Sequence, residues 1–420
     1  MIKKILLLSL VVSQLTISCS SDDSPENKPD EPTAEQTLAE QIANIVKQPY
    51  SKLTPADQKI KLEAEANDML VQLDKSKSSS AIEAMENLSR LLDLSTVDIF
   101  NGKNDNGVED ILNISGVYGI YTWNNTGQKW DKTASTTELK FVFPAKKALT
   151  TNNTVFSAKS VSSDVKVKFY DSYNGNAEIN DNIFLPSSSD ATLTIDNVQS
   201  ATFTQTAKYS NKNQSPDEFA YKMTVNDGYA WEMSGKKGTE NTAKAVLTYN
   251  GKTLVDFNSG SSANIDGLID NDALTQYRGK ANGLFKLMDN LIIVADTDLA
   301  TAAADETALE KTLVRPTNYS SPTYSAELST YYQKTAEGDA ANFNKNMKLI
   351  LVSKKDGTKI ADIVQHAEKE ESNGSSVQYY NVVNYLRFSD KTEVEMGAYF
   401  SEGFDKLETK FEDFAKAFNK

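Results

Sequence analysis

The stretch AVLTYNGKTLVDF, residues 245–257, decides the fold more directly than any other part of the chain. Apolar and polar residues alternate on both sides of the central pair Asn250-Gly251. Alternation with a period of two is typical of a β-strand with one covered face. An Asn-Gly pair supplies the two positive-φ positions of a type I′ turn. The stretch therefore predicts an antiparallel hairpin.

The same alternation extends over much of the chain on either side of this hairpin. It recurs in GVYGIYTWNNTGQKWDKT, ELKFVFPA, DVKVKFYD, ATLTID, SATFTQTAKY and FAYKMTV. Further turns are predicted at 124–127, at Asp227-Gly228, at Asp356-Gly357 and near 389–391. Repeated strands with short turns indicate a long antiparallel meander within residues 111–420.

Residues 34–110 have the spacing of helices instead. In TPADQKIKLEAEANDMLVQLDK, Thr54 can cap a helix and Pro55 fits its first turn. The stretches AEQTLAEQIANIVKQ and SSAIEAMENLSRLLDL also carry apolar residues three and four apart. We therefore predict an N-terminal helical segment before the sheet region.

Two further helices are predicted later in the chain. GLFKLMDNLIIVADTDLA, residues 283–300, favours a central helix, with a buried strand over LIIVA as the alternative. Phe404, Leu407, Phe411, Phe414 and Phe418 form one apolar stripe, which predicts a C-terminal amphipathic helix. The fold class is thus α+β, in which a long curved antiparallel sheet is combined with helices at both ends and in the middle.

The N-terminus, MIKKILLLSLVVSQLTISCSSDDSPENKPDEPT, has the layout of an export signal. Lys3 and Lys4 precede a short apolar run over 5–12, which is too short to span a membrane. The only cysteine, Cys19, follows, so the segment resembles a bacterial lipoprotein signal in which the cysteine is lipidated. The resemblance implies a signal peptide over 1–18 and a disordered acidic tether over 19–33.

Ser21, Asp22 and Asp23 directly follow the cysteine. Acidic residues in this place resemble the surface-export signal of Bacteroidota lipoproteins. The resemblance covers only the N-terminal segment, and it implies an outer-membrane protein that is lipid-anchored and exposed at the cell surface. A tether on a periplasm-facing lipoprotein is the alternative, and neither interpretation implies an activity.

Composition narrows the range of partners. The formal net charge is −14, so nucleic acid is not expected as a partner, because phosphate backbones need a basic face. A single cysteine excludes a disulfide framework in the body of the chain. We expect the membrane to be reached through the N-terminal lipid alone.

The sequence does not match the motifs of the common catalytic and metal sites. His366 is the only histidine, and a strand or surface position explains it without chemistry. Placing Gly107 sixth in a calcium loop puts Gly102 first, where an acid is required. An irregular cation site using acids within 105–110 is an alternative, and we predict neither a metal nor a cofactor.

Aromatic residues offer the one positive indication of a ligand. Trp123 and Trp130 flank a predicted turn, and Trp231 lies in a later strand. Such rings can stack on sugars, although a cross-strand aromatic pair is the ordinary interpretation.

Three functions follow from this sequence. The first is a non-catalytic binding or structural surface lipoprotein, whose partner is a protein or a glycan. The second is a carrier of an apolar ligand in a curved-sheet cavity, and the third is a carboxylate-based hydrolase. Exposed aromatic residues on a flat face would favour glycan binding. An apolar cavity would favour the carrier, and two carboxylates facing each other in a cleft would favour the enzyme.

Overall fold

The computed structural model describes residues 37–97, 111–112, 114–210, 215–270, 278–288, 290–371 and 374–400. The helices in these ranges are α1 (Leu38–Val46), α2 (Pro55–Asp74), α3 (Ser80–Leu94), α4 (Ile265–Asp270), α5 (Leu299–Thr312), α6 (Tyr324–Asn346) and α7 (Met396–Tyr399). A 3₁₀ turn covers Lys75–Ser78. The predicted N-terminal helices are confirmed in α1, α2 and α3. The signal peptide, the tether and the C-terminal phenylalanine stripe lie outside the described residues.

The strands follow one another along the chain. They are β1 (Gly119–Asn124), β2 (Lys129–Thr133), β3 (Leu139–Phe143), β4 (Thr154–Tyr173), β5 (Glu178–Ile195), β6 (Val198–Lys208), β7 (Glu218–Val225), β8 (Tyr229–Lys236), β9 (Asn241–Tyr249), β10 (Lys252–Ser261), β11 (Lys280–Leu287), β12 (Leu291–Asp298), β13 (Met347–Ser353), β14 (Thr358–Lys369), β15 (Tyr380–Arg387) and β16 (Glu393–Glu395). From β16 back to β3, every hydrogen-bonded neighbour in the sheet is also a neighbour in the chain. This order confirms the predicted α+β class and its meander.

The turns of the meander lie where the sequence predicts them. Asn250 and Gly251 have φ values of 50° and 76°, as a type I′ turn requires. Gly228 and Gly357 also have positive φ, in the β7–β8 and β13–β14 turns. One pair departs from the expected antiparallel pattern, because β3 runs parallel to β1. After the β1–β2 hairpin, β3 pairs with the other edge of β1. Strand β2 is therefore the outermost strand at this end of the sheet.

The described residues divide into two compact units by their internal contacts. The first unit comprises those of Asn67–Val255, and the second those of Glu26–Ala66 and Asp256–Asp405. In the first unit, one sheet face is covered. Phe141, Phe156, Leu193 and Leu247 are fully buried on it, and α3 packs against β6. The other face is polar and is crossed by ion pairs such as Lys222–Glu232 at 2.7 Å.

In the second unit, the central strands are covered on both faces. Ile292 and Val352 are buried in a cluster with Ile42 of α1. Leu291 and Leu351, the alternate residues of the same strands, are buried in a second cluster with Leu62 of α2. Strands buried on both sides carry continuous apolar runs instead of alternation.

This double burial explains the one wrong prediction of an element. Residues 283–300 are not a central helix but the hairpin β11–β12, which continues into the first residues of α5. The run LIIV in β12 sends apolar side chains to both covered faces, so its period of two disappears. Met288, at φ 52°, lies in the turn, and Asp298 caps α5 by accepting the Thr301 N–H at 3.0 Å. The helices in the middle of the chain are α5 and α6.

The pair α5–α6 lies between β12 and β13. A Cβ at Gly338 of α6 would lie 2.4 Å from Leu309 Cδ2 of α5, so the absence of a side chain permits this close approach. Asp339 follows Gly338, and burial, together with Glu306 and Glu310 of α5, raises the pKa of its carboxyl.

The last turn of α6 is fixed by Asn344. Its amide donates to the Gln365 carbonyl and accepts the Gln365 N–H, both at 2.8 Å.

A buried asparagine joins the β11–β12 turn to the β13–β14 turn of the second unit. Asn290 is 6% exposed, and its Oδ1 accepts from Ser353 Oγ at 3.1 Å and from the Lys355 N–H at 2.9 Å. Ser353 Oγ also lies 2.9 Å from Asp356, whose pKa the Lys61 ammonium lowers. These bonds satisfy Asn290 Oδ1 and the Lys355 N–H inside the fold.

Candidate functional site

The three tryptophans predicted as glycan-stacking residues belong to the first unit, where they are buried or half-buried. Trp123 of β1 and Trp130 of β2 are register partners, and their rings meet edge to face with centroids 5.2 Å apart. Trp123 is 2% exposed, and its indole N–H donates to Asn125 Oδ1 at 3.1 Å. A buried ring offers no face to a sugar, so the geometry of this pair is that of hairpin packing.

Trp231 lies apart from this pair, in β8. Its neighbours across the strands are Met223 and Leu247, both buried, so its ring is on the covered face of the sheet. The three tryptophans therefore do not form one platform. Their assignment to a glycan stays a prediction that this geometry does not favour.

A different aromatic group is exposed in the second unit, around the N-terminal half of α6. We call Tyr319, Tyr324, Tyr331, Tyr332 and Tyr379 the tyrosine cluster. Tyr319 is 78% exposed and its ring centroid lies 5.0 Å from that of Tyr324. Tyr379 is 36% exposed and lies 4.9 Å from Tyr332, with the ring planes tilted by 36°. Tyr319 and Tyr379 thus present ring faces edged by phenol hydroxyls to the solvent, whereas Tyr324, Tyr331 and Tyr332 are half-buried.

The loop over 313–323 between α5 and α6 carries the most exposed ring. Local hydrogen bonds shape it. Asn318 Oδ1 accepts the Ser320 N–H at 3.3 Å, and the Asn318 carbonyl accepts the Ser321 N–H at 3.1 Å. The Tyr324 N–H donates to the Ser321 carbonyl at 3.1 Å, which leads directly into α6. The loop is thus folded on itself and carries Tyr319 toward solvent.

A second segment, 374–379, brings Tyr379 to the helix. Ser329 Oγ on α6 accepts the Gln378 N–H at 2.8 Å. Ser325 Oγ, one turn earlier, lies 3.0 Å from Ser376 Oγ. The Gln378 side chain donates to the Glu370 carbonyl at 2.8 Å, which closes the segment on its own base. Tyr379 is therefore held in place before any ligand arrives.

A cation, Arg315, adjoins the cluster. Arg315 is exposed, and its Nη2 lies 3.4 Å from the Tyr332 hydroxyl oxygen. Among the described residues, no carboxylate forms an ion pair with Arg315. Aromatic faces, hydroxyls and a guanidinium are groups that bind sugars, by stacking and by hydrogen bonds.

The site was not apparent from the sequence because its members are separated in the chain. The stretch LVRPTNYSSPTYSAELSTYYQ, residues 313–333, is rich in tyrosine, and that density was the available signal. Tyr379 comes close only through the docking of 374–379 on α6. Nothing local to Tyr379 indicates that partner.

Groups that could suggest catalysis are paired internally in the described ranges. His366 lies in β14, as predicted, and its Nε2 is 2.6 Å from Glu393 Oε2, with the Tyr385 ring against its own. Tyr50 donates to Asp362 at 2.7 Å, and burial and that carboxylate raise the pKa of its phenol to about 12. Within the described part of the chain, no group of three His, Cys, Asp or Glu residues could hold a metal. The acids within 105–110 lie outside it.

A depression of about 280 Å³ lies on the open face of the first unit. Lys222 and Glu232 line it, together with Tyr221 and Met233. The volume is at the lower end for small-molecule sites, and the lining carries charges beside its apolar groups. The faces under α1 and α2 are filled by the side chains described above, so the carrier hypothesis stays a prediction without a site.

Among the described helices, none is both long and apolar enough to cross a membrane. Cys19, Ser21, Asp22 and Asp23 lie outside the described residues. No protein-family model matches the sequence, and no curated protein and no solved structure matches it either.

Proposed function

We propose that this chain is a non-catalytic, lipid-anchored protein of the bacterial outer membrane that binds a glycan at the cell surface. The observation that carries the proposal is the tyrosine cluster. Tyr319 and Tyr379 of this cluster are exposed, although burying a large aromatic ring would stabilise the fold. Exposed aromatics grouped in this way are typical of a surface kept for a partner.

The arrangement of the cluster favours a glycan over a flat protein partner. Its contacting rings are tilted relative to one another, and the polar residues Asn318 and Ser320 flank Tyr319 in the chain. A sugar presents apolar C–H faces and a rim of hydroxyls, which match rings bordered by amides and hydroxyls. The hydrogen bonds that hold 374–379 reduce the entropy lost on binding.

The proposal is tested with soluble polysaccharides in affinity gel electrophoresis. The panel contains dextran, yeast mannan, xylan and polygalacturonate. The native chain is compared with the double variant Tyr319→Ala/Tyr379→Ala and with Tyr173→Ala. Tyr173 is 61% exposed but lies in the first unit, so it is a matched control for losing a surface ring.

Retardation of the native chain and of Tyr173→Ala by a polysaccharide, with its loss in the double variant, is the expected result. Equal retardation of all three proteins would remove the cluster from the proposal. Absence of retardation in every gel would count against glycan binding as the function.

The anchor is tested separately, in cells. Replacing Cys19 by Ala is expected to abolish incorporation of labelled palmitate, because no other cysteine is present to accept it. Replacing Asp22 and Asp23 by Ala is expected to protect the chain from protease added to intact cells. Labelling of the alanine variant would contradict lipidation, and undiminished digestion would contradict the export role of the acids.

A further inference from the structure

The cation beside the tyrosine cluster narrows the class of glycan. Arg315 is exposed and has five N–H donors, yet its one described contact is the 3.4 Å approach to the Tyr332 hydroxyl. Two other arginines have closer partners. Arg387 pairs with Asp362 at 3.4 Å, and Arg90 donates to Asn87 Oδ1 at 2.8 Å.

Arg315 has no carboxylate partner among the described residues, although the chain is rich in carboxylates. Acidic residues number 58 against 44 basic ones, so carboxylates are abundant on the surface. Many of the lysines are paired, for example Lys146 with Glu83 at 2.6 Å and Lys345 with Asp305 at 2.8 Å. Arg315 therefore retains donors for a ligand at the place where aromatic rings are also exposed.

The guanidinium group has a specific complement. Its planar fork binds a carboxylate through two parallel hydrogen bonds, which a neutral hydroxyl cannot match. Because Arg315 contacts Tyr332, and Tyr332 contacts Tyr379, the cation adjoins the surface on which a sugar ring would stack. A sugar that combines an apolar face with a carboxylate satisfies both features.

We propose, on the basis of the glycan-binding function above, that the ligand is an acidic glycan of the uronate class and that Arg315 binds its carboxylate. The negative charge of the whole chain does not prevent this contact. At physiological ionic strength the Debye length is about 8 Å, so distant carboxylates are largely screened from the ligand. The contact between Arg315 and the sugar carboxylate is local.

The test compares polygalacturonate with the same polymer after chemical reduction of its carboxyl groups. The two probes share a backbone and differ in charge. Binding of the native chain is measured at two salt concentrations, beside Arg315→Gln, Arg315→Lys and Tyr379→Ala. Circular dichroism spectra confirm that each variant is folded.

The native chain is expected to prefer the acidic polymer by about tenfold, the equivalent of one charge-assisted hydrogen bond. Arg315→Gln should bind the two polymers equally, Arg315→Lys should retain part of the preference, and added salt should weaken it. Tyr379→Ala should lose affinity for both polymers alike.

The contrary outcomes separate this inference from the function on which it rests. Equal binding of both polymers by the native chain overturns the uronate assignment but leaves glycan binding in place, as does binding of a neutral polysaccharide only. A preference that persists in Arg315→Gln overturns the role of Arg315. Binding of no polysaccharide at all defeats both proposals.

Discussion

The hydroxyl of Ser329 is one of two α6 hydroxyls that contact the segment carrying Tyr379, so Ser329→Ala is an informative perturbation. The Gln378 N–H donates to this oxygen at 2.8 Å, and the hydroxyl itself donates to the Ser325 carbonyl at 2.7 Å. Removing the acceptor leaves a partly buried N–H without its partner. The net value of such a bond is about 1 kcal/mol, which corresponds to roughly a fivefold change in a local equilibrium.

Hydrogen-exchange mass spectrometry over 374–380 measures this effect without any ligand. We expect exchange in this segment to accelerate about fivefold in Ser329→Ala. Global stability should not fall equally, because alanine is the better helix former in α6 by up to about 0.5 kcal/mol. Affinity for a bound glycan should fall by a similar fivefold factor, since Tyr379 is no longer held in place.

Ser329→Thr is the matched control, because it keeps the hydroxyl at the same position. Native-like exchange in Ser329→Thr together with accelerated exchange in Ser329→Ala would assign the effect to the hydrogen bond. Unchanged exchange in Ser329→Ala would refute the reasoning, since it would mean that other contacts hold the segment.

Three further substitutions test the fold around the site. Asn290→Leu leaves the part-buried Lys355 N–H without its acceptor and leaves Ser353 Oγ with Asp356 alone, and it should cost about 2 kcal/mol in urea unfolding followed by circular dichroism. A loss below about 0.5 kcal/mol would contradict this. Asp339→Asn removes a carboxyl whose pKa is raised in the folded state, so folding is less favourable once pH rises through that pKa. The variant should be more stable than the native chain at pH 7, by at most about 0.5 kcal/mol, and this gain should vanish below the ordinary carboxyl pKa of 3.8. A gain in stability that does not depend on pH would count against the charge argument. Gly279→Ala should destabilise by about 2 kcal/mol in thermal unfolding, because φ is 57° and the new Cβ would lie 2.7 Å from the Ser262 carbonyl oxygen. At Gly357, φ is 63° and an added Cβ would meet no atom within 4 Å, so Gly357→Ala measures the cost of the backbone conformation alone. An equal loss of stability in both variants would exclude a contribution from the clash.

The parts of the fold that depend on local chemistry were predictable. Asn250 and Gly251 adopt positive φ because the turn between two alternating strands leaves them no other conformation, and the residues themselves indicate it. Helix α1 begins at a capping box, with the Glu40 N–H bonded to Thr37 Oγ1 and the Thr37 N–H bonded to Glu40 Oε2. Such signals lie within a few residues of one another.

The parts that depend on tertiary partners were not predictable in the same way. Residues 283–300 resembled a helix because α1 and α2 cover both faces of β12, and neither cover is visible from the strand's own sequence. Trp123 and Trp130 were correctly placed on opposite sides of a turn, yet only the depth of Trp123 in the core reveals that it is no platform. The tyrosine cluster needs the docking of 374–379 onto α6, which joins residues distant in the chain.

Chemical footprinting of the tyrosines is the most direct test of the central claim that the cluster binds the glycan. Tetranitromethane nitrates accessible tyrosine rings, and peptide mass spectrometry measures the modification of Tyr319, Tyr379 and Tyr173 separately. We expect a polysaccharide that retards the native chain to protect Tyr319 and Tyr379 from nitration and to leave Tyr173 unchanged. Equal nitration of Tyr319 and Tyr379 with and without the bound polysaccharide would contradict the claim.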